Sequence, residues 1–173
     1  AALDHRKGPG ISIKLSALHP RYEVAQTQRV MSELLPILKK ICLRAKQYNL
    51  GLNIDAEEAD RLRLSLDLLS ALAHDPDLKG WPGLGLAVQA YQKCAPNVID
   101  YLAELSFQSG RRLMVRLVKG AYWDSEIKLS QQLGLKGYPV FTRKEHTDIS
   151  YLACAKKLLD NPKAFYPQLA THN

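Results

Sequence analysis

Polar side chains interrupt five apolar runs of this sequence, each near the carboxyl end of its run. They are Lys14, Asp55 with Glu57, Gln89, Arg116 with Lys119, and the final Thr171-His172-Asn173. Buried parallel strands normally consist of unbroken aliphatic residues, and a buried charge is costly unless it pairs or binds something. Asp55 and Arg116 alone could form a structural ion pair. Five polar strand ends together favour a binding or catalytic site instead.

The composition of these strand ends limits the chemistry. Two cations with an acid suit an anionic, oxygen-rich ligand, and a lysine at a strand end could form a Schiff base, as in an aldolase-type barrel. In the segment RLVKGAYWD, Gly120 permits close backbone approach, while Tyr122 and Trp123 offer aromatic surfaces for a cofactor or for ordinary core packing. No G-x-S-x-G, H-E-x-x-H or P-loop motif occurs.

The elements that must position these residues alternate along the chain. Period-2 patterns predict strands within residues 11–16, 52–57, 84–91, 111–121 and 166–173. Helical patterns cover residues 23–48, 58–73, 96–110, 124–133 and 145–159. We expect Pro36 to kink or split the first helix and Asp124 to cap the fourth.

Alternating strands and helices predict an α/β fold with parallel strands and right-handed crossovers. An open doubly wound sheet and a closed (β/α)8 TIM-type barrel both fit that order. Polar residues at the end of every strand favour the barrel, whose functional groups lie at that rim. A complete barrel needs about 250 residues, whereas the chain has 173. We therefore expect residues 1–173 to be part of one barrel domain, truncated at both ends.

Composition and charge exclude several other classes of protein. With 24 Lys and Arg against 17 Asp and Glu, the net charge is +7, but the basic residues are scattered as on solvated helix faces. Nucleic-acid binding is therefore not predicted. The first ten residues lack the apolar segment of a signal peptide, and we expect no membrane-spanning helix, because no apolar run is long enough. The three cysteines are isolated, which fits a reducing cytoplasm, and no metal site is expected.

Several long motifs in a fixed order resemble one family. GPGISIKLSALHPRY, NIDAEEADRL, VQAYQK, RLVKGAYWDSEIK, GYPVFTRK, YLACAKKLL and ATHN closely resemble the proline dehydrogenase domain of the bacterial bifunctional proline utilisation flavoproteins. The resemblance covers nearly the whole chain. It implies an FAD-containing (β/α)8 barrel, of which this chain supplies about strands two to six, that catalyses the first step of proline catabolism. It also implies hydride transfer from C5 of L-proline to flavin N5, giving Δ1-pyrroline-5-carboxylate.

The resemblance also implies roles for individual residues. Lys14 corresponds to the lysine that binds the proline carboxylate, Asp55 to the conserved active-site acid, and Arg116 to the arginine beside flavin N5. Further positions correspond to residues along the flavin: Gln89 at its pyrimidine edge, and Val118, Lys119, Gly120, Ala121, Tyr122, Trp123, Thr171 and His172.

The same resemblance implies partners that lie outside the chain. Electrons would pass to a membrane quinone, so the intact protein would be a cytoplasmic, peripherally membrane-associated homo-oligomer. The segment alone is expected to be inactive, because the family's remaining substrate-binding residues follow Asn173. Two alternatives stay open: a Schiff-base enzyme using Lys14 or Lys119, and a basic binding segment without catalysis.

Overall fold

A five-stranded parallel sheet forms the centre of the computed structural model, which describes residues 8–171. The strands are β1 (Gly10–Ile13), β2 (Gly51–Ile54), β3 (Leu84–Gln89), β4 (Leu113–Val118) and β5 (Phe165–Leu169). Each strand pairs with the next one in the sequence, so the order is β1-β2-β3-β4-β5. A doubly wound sheet reverses its strand order at a switch point, whereas a (β/α)8 barrel keeps this consecutive order. The predicted α/β, barrel-type fold is confirmed.

Helices connect the strands and cover one face of the sheet. They are α1 (Leu15–Leu18), α2 (Thr27–Gln47), α3 (Leu62–His74), α4 (Ala95–Ser109), α5 (Trp123–Gln132) and α6 (Lys144–Asp160). Helices α2, α4 and α6 contact strands directly, and their buried residues form one core with the aliphatic residues of the sheet. Within residues 8–171, no helix is both long enough and apolar enough to cross a membrane.

The opposite face of the sheet carries small and polar residues. Asn53 on β2 is in register with Ser12 on β1 and with Gly85 on β3. One step further along the strands, Arg116 on β4 is in register with Ala87 and Gln168. Because side chains alternate along a strand, the aliphatic residues between these positions point to the helices. In a barrel, the face that carries Arg116 is the interior.

The structure differs from two predictions about helices. The predicted split at Pro36 is wrong, because buried residues on both sides of the proline, including Val30, Leu34, Leu38 and Cys42, hold both halves of α2 against the core. A kink at Pro36 stays a prediction. Helix α5 begins at Trp123, so Asp124 lies in its first turn and makes no capping hydrogen bond. An acidic residue in the first turn still interacts favourably with the helix dipole.

Arg111 fastens the loop after α3 to the start of β4. Its guanidinium donates hydrogen bonds to the backbone carbonyls of Ala73, Asp75 and Leu78.

Hydrogen bonds from a charged donor stabilise more than neutral ones, so Arg111→Met is expected to lower the unfolding free energy of the intact protein by about 2–4 kcal/mol. Urea denaturation measures this loss. Arg112→Met is the matched control, since exposed Arg112 makes one such bond, to Phe165; equal losses would contradict the anchoring role.

Candidate active site

The rim of the sheet at the carboxyl ends of the strands encloses a cavity of about 200 Å³, here called the rim cavity. It is lined by Lys14, Asp55, Ala56, Ala87, Gln89, Arg116, Val118, Ala121 and Tyr122. The structure thus brings together polar residues from four of the five predicted strand ends. Lys14 follows β1 directly and lies at the start of α1, because the first strand ends at Ile13, earlier than the sequence pattern indicated.

Arg116 makes the central polar contacts of the rim cavity. Its Nη1 lies 3.1 Å from Asp55 Oδ1, and its Nη2 donates to Ser12 Oγ at 2.7 Å. The Arg116 and Asp55 side chains keep 33% and 26% exposure, so the pair is not sealed in the core and can still contact a ligand. Ser12 was missed in the sequence, where it reads as an ordinary strand residue.

Lys14 is an exposed cation beside Tyr122. Its Nζ lies 5.9 Å from the centroid of the Tyr122 ring. The neighbouring Tyr122 side chain, with smaller contributions from Glu57 and Asp55, raises the pKa of Lys14 above its ordinary value. Lys14 therefore stays protonated, which suits an anion-binding role and opposes a nucleophilic one.

Gln89 connects the loops that follow two strands. It is 2% exposed, its Nε2 donates to the Glu57 carbonyl at 2.8 Å, and its Oε1 accepts from Ala121 N at 3.1 Å. An amide has two N–H groups and two oxygen lone pairs, so one of each is left. Gln89 can thus hold the rim together and still offer hydrogen bonds to a ligand.

Glu57, the second acid at the end of β2, is buried and engaged elsewhere. Its carboxylate accepts from Ser16 N at 3.0 Å, at the start of α1, and from Arg61 Nη1 at 2.8 Å. It does not line the rim cavity. Glu57 therefore fixes the chain around Lys14, and within residues 8–171 Asp55 is the acidic residue that lines the rim cavity.

A second cavity of about 340 Å³, here called the outer cavity, lies next to the first. It is lined by Tyr91, Lys119, Gly120, Trp123, Phe141, Thr142, Arg143, Lys144 and Thr147. Residues 118–123 separate the two cavities: Val118, Ala121 and Tyr122 face the rim cavity, and Lys119, Gly120 and Trp123 face the outer one. One elongated ligand could therefore run along this segment and reach both cavities.

The residues from Phe141 to Thr147 were missed as site residues. The adjacent Arg143 and Lys144 offered a signal, but their distance from the strand ends in sequence hid it. The loop comes close because Phe141 N donates to the Tyr91 carbonyl at 2.8 Å and Trp123 Nε1 donates to the Phe141 carbonyl at 2.9 Å. These bonds place two cations beside the predicted segment 118–123.

Lys119 is already paired across the outer cavity. Its Nζ lies 2.7 Å from Asp148 on α6, and Lys144 Nζ lies 2.6 Å from the other oxygen of the same carboxylate. The ammonium of Lys119, followed by the hydrogen bond from Lys144, lowers the pKa of Asp148. The cluster therefore keeps one net positive charge, to which Arg143 adds another.

Gly120 has the backbone conformation that its position requires. Its φ is +148°, and a Cβ at this position would lie 2.4 Å from the ring of Tyr91. The Tyr91 hydroxyl accepts from Tyr122 N at 3.3 Å, and the ring is buried. Only glycine lets segment 118–123 pass this ring without displacement.

The residue that follows the fifth strand lies outside both cavities. Thr171 follows β5, is exposed, and lines neither cavity. The adjacent Ala170 N donates to the Leu117 carbonyl at 3.0 Å, which continues the β4–β5 pairing. His172 lies outside the described residues, so its predicted role stays a prediction.

Comparisons with known proteins agree on one family. A profile described as "Proline dehydrogenase" matches residues 1–173. The "Bifunctional protein PutA" of Salmonella typhimurium is 68% identical over 167 residues, covering 96% of this chain and 13% of the relative. "Proline dehydrogenase 2, mitochondrial" of Arabidopsis thaliana is 31% identical over 160 residues, covering 89% of this chain and 33% of the relative.

Solved structures give the same result. A variant of Bradyrhizobium japonicum proline utilization A matches with a TM-score of 0.95 and 60% identity over 96% of this chain and 17% of that chain. Proline utilization A from Bdellovibrio bacteriovorus, inactivated by N-propargylglycine, matches with a TM-score of 0.91 and 31% identity. The match covers 99% of this chain and 18% of that chain. The chain spans well under half the length of each of these relatives.

Proposed function

The chain belongs to the proline dehydrogenase family, and from that premise we propose that it forms much of the FAD site and part of the substrate site of an enzyme that oxidises L-proline to Δ1-pyrroline-5-carboxylate. One observation carries the proposal: a cavity lined by Lys14, Asp55, Gln89 and Arg116 adjoins a second, cationic cavity across residues 118–123. We further propose that residues 1–173 belong to a single (β/α)8 barrel domain.

The residues around the two cavities fit FAD in charge and in hydrogen-bonding groups. The rim cavity is lined by the small side chains of Ala56, Ala87 and Ala121, which leave room for a planar ring. Gln89 retains an N–H group and an oxygen lone pair for hydrogen bonds to that ring. The outer cavity offers Lys119, Arg143 and Lys144 to a pyrophosphate. Residues 118–123 would contact the part of FAD that links the flavin ring to the pyrophosphate. Thr171 and His172, beyond β5, would complete the cofactor site.

Each polar residue of the rim cavity can have a separate role in proline oxidation. Bound FAD supplies a hydride acceptor. Lys14, protonated and exposed, would bind the carboxylate of proline and orient its ring. Arg116 would place a positive charge beside the reactive edge of the cofactor. Asp55 would hold Arg116 and offset one of the two positive charges of the site, which leaves one for the carboxylate of proline.

The two alternative functions have less support. A Schiff base needs a lysine whose pKa is lowered, yet the pKa of Lys14 is raised, and Lys119 is paired with Asp148 at 2.7 Å. A purely basic binding surface does not explain why Asp55 and Gln89 line the same cavity as the cations. Oxidation of proline accounts for a protonated Lys14 and for the presence of Asp55 and Gln89 in the same cavity.

The family resemblance supports further proposals about the intact protein. We propose that its electrons pass to a membrane quinone and that it is a cytoplasmic, peripherally membrane-associated homo-oligomer. The relatives named as bifunctional support a second enzymatic activity elsewhere in the parent chain.

Lys14→Met is expected to raise the KM for proline in the intact protein about 10- to 100-fold, because a charge-assisted contact to the carboxylate is lost. Steady-state kinetics with an artificial electron acceptor measures the change. Lys128→Met, an exposed substitution on α5 that lines neither cavity, is the matched control. An unchanged KM in the Lys14 variant would remove Lys14 from the substrate site.

The proposed function is tested by anaerobic titration of the purified intact protein with L-proline. We expect bound flavin absorption that bleaches on addition of proline, with formation of pyrroline-5-carboxylate in equal amount. A colourless protein that cannot be reconstituted with FAD would overturn the proposal. Substrate trapped on Lys14 by borohydride would support the Schiff-base alternative, and salt-sensitive retention of nucleic acid would support the binding alternative.

A further inference from the structure

Asn53 is a buried amide inside a strand that is otherwise apolar. It lies on β2, two residues before Asp55, and is 2% exposed. It does not line the rim cavity, and the proposed function gives it no role. A buried amide costs free energy unless its hydrogen bonds are satisfied, so its partners indicate why this position is polar.

The Asn53 side chain crosses β3 at Gly85. A Cβ at position 85 would lie 2.0 Å from the Asn53 amide and 2.5 Å from the Met114 carbonyl oxygen. Any larger residue there would displace the amide. Across this gap, the amides of Asn53 on β2 and Gln168 on β5 lie 2.8 Å apart, although 115 positions separate them in the sequence.

The same end of the Asn53 amide also meets Arg116. It lies 3.1 Å from Nη2 and 3.2 Å from Nε of the guanidinium. Because arginine only donates hydrogen bonds, the Asn53 amide oxygen is assigned to this side, and the Gln168 amide is assigned the orientation in which its nitrogen donates to that oxygen. Together with Asp55 on Nη1 and Ser12 on Nη2, Asn53 gives the guanidinium acceptors along three of its edges.

We propose that Asn53 is a positioning residue, held in place by Gln168 and admitted by Gly85, which fixes the plane of the Arg116 guanidinium at the rim cavity. This rests on the proposed function, in which Arg116 lies beside the reactive edge of the cofactor. Two donors of Arg116 bond to one oxygen of Asn53, so the guanidinium cannot rotate without losing both bonds. Nη1 then stays directed at Asp55.

Asn53→Leu tests the proposal in the intact protein, because leucine keeps the shape of asparagine and removes the acceptor. We expect kcat for proline oxidation to fall about 10- to 100-fold with KM changed less than about threefold, as for a misplaced catalytic group. The reduction potential of the bound flavin should become more negative. Asn53→Asp restores an acceptor oxygen and is expected to recover about tenfold of the lost kcat.

A buried control separates positioning from stability. Ser106 is 3% exposed, and its hydroxyl lies within hydrogen-bonding distance of the carbonyls of Arg111 and Ala164, at the opposite end of the strands. Ser106→Ala is expected to lower stability and to leave kcat and the flavin potential unchanged. If the Asn53 and Ser106 variants lose activity in proportion to their stability, Asn53 has only a structural role.

A double-mutant cycle and a crystal structure complete the test. In an Arg116→Lys background, Asn53→Leu should lower kcat by less than about threefold further, since both substitutions act through one group. Additive losses would overturn the proposal.

The crystal structure of the intact Asn53→Leu protein shows the position of Arg116 directly, without a measurement of turnover. We expect the guanidinium of Arg116 to leave Ser12 and Asp55. An unmoved guanidinium would refute the positioning role whatever the substrate is, whereas a wild-type protein that proline does not reduce would refute the proposed function alone.

Discussion

Arg116→Lys is expected to lower kcat for proline oxidation by about 100- to 1,000-fold in the intact protein, the cost typical of losing one preorganised electrostatic group. Arg116 presents a planar fork that meets Asp55 at 3.1 Å and Ser12 at 2.7 Å simultaneously. Lysine keeps the positive charge but cannot make these contacts in one plane. The bound flavin should therefore be harder to reduce as well.

Two measurements check this expectation: pre-steady-state reduction of the flavin by proline, and the reduction potential of the bound cofactor. Arg112→Lys is the matched control, because Arg112 directly precedes β4, the strand that carries Arg116, but lines neither cavity. Turnover and potential both equal to wild type in the Arg116 variant would contradict the role assigned to this residue.

Gly120→Ala is expected to weaken FAD binding by about 10- to 100-fold. The added Cβ would lie 2.4 Å from the ring of Tyr91, and the φ of +148° disfavours any residue other than glycine. Tyr91 is buried, so it cannot yield. Residues 118–123 would have to move instead, and they form the wall shared by the rim and outer cavities.

Titration of the apoprotein with FAD measures this change. Gly134→Ala is the matched control: its φ is +61°, also unfavourable for alanine, but a Cβ there would meet nothing within 4 Å. Both variants should lose some thermal stability. Only Gly120→Ala should lose cofactor affinity, and equal affinities for FAD in the two variants would exclude segment 118–123 from the cofactor site.

The sequence was informative where a polar residue interrupts an apolar run. Lys14, Asp55, Gln89 and Arg116 stand out because a buried strand has little reason to contain them, and the consecutive parallel sheet brings all four to one cavity. The local pattern therefore predicted both the barrel-type fold and most residues of the rim cavity.

The sequence was uninformative where a residue depends on distant partners. Asn53 reads as a turn-prone residue in a strand, and its contact with Gln168 exists only because glycine stands at position 85 between them. The cations of the outer cavity, Arg143 and Lys144, lie in a loop whose position depends on backbone pairing with Tyr91. Such long-range pairings follow from tertiary packing and not from local periodicity.

Helix α2 shows that a local sequence signal can also predict a break that tertiary packing prevents. Pro36 breaks the local rule for a helix interior, yet the helix runs unbroken from Thr27 to Gln47. Residues buried on both sides of the proline hold it to the core. Packing free energy from the whole domain outweighs the local cost of one missing hydrogen bond.

A crystal structure of the intact protein with its cofactor and a non-reactive proline analogue tests the central claim most directly. We expect a flavin ring in the rim cavity with Arg116 against its reactive edge, the analogue's carboxylate on Lys14, and the pyrophosphate in the outer cavity near Lys119, Arg143 and Lys144. A flavin bound away from residues 118–123, or an analogue carboxylate that does not contact Lys14, would contradict the account.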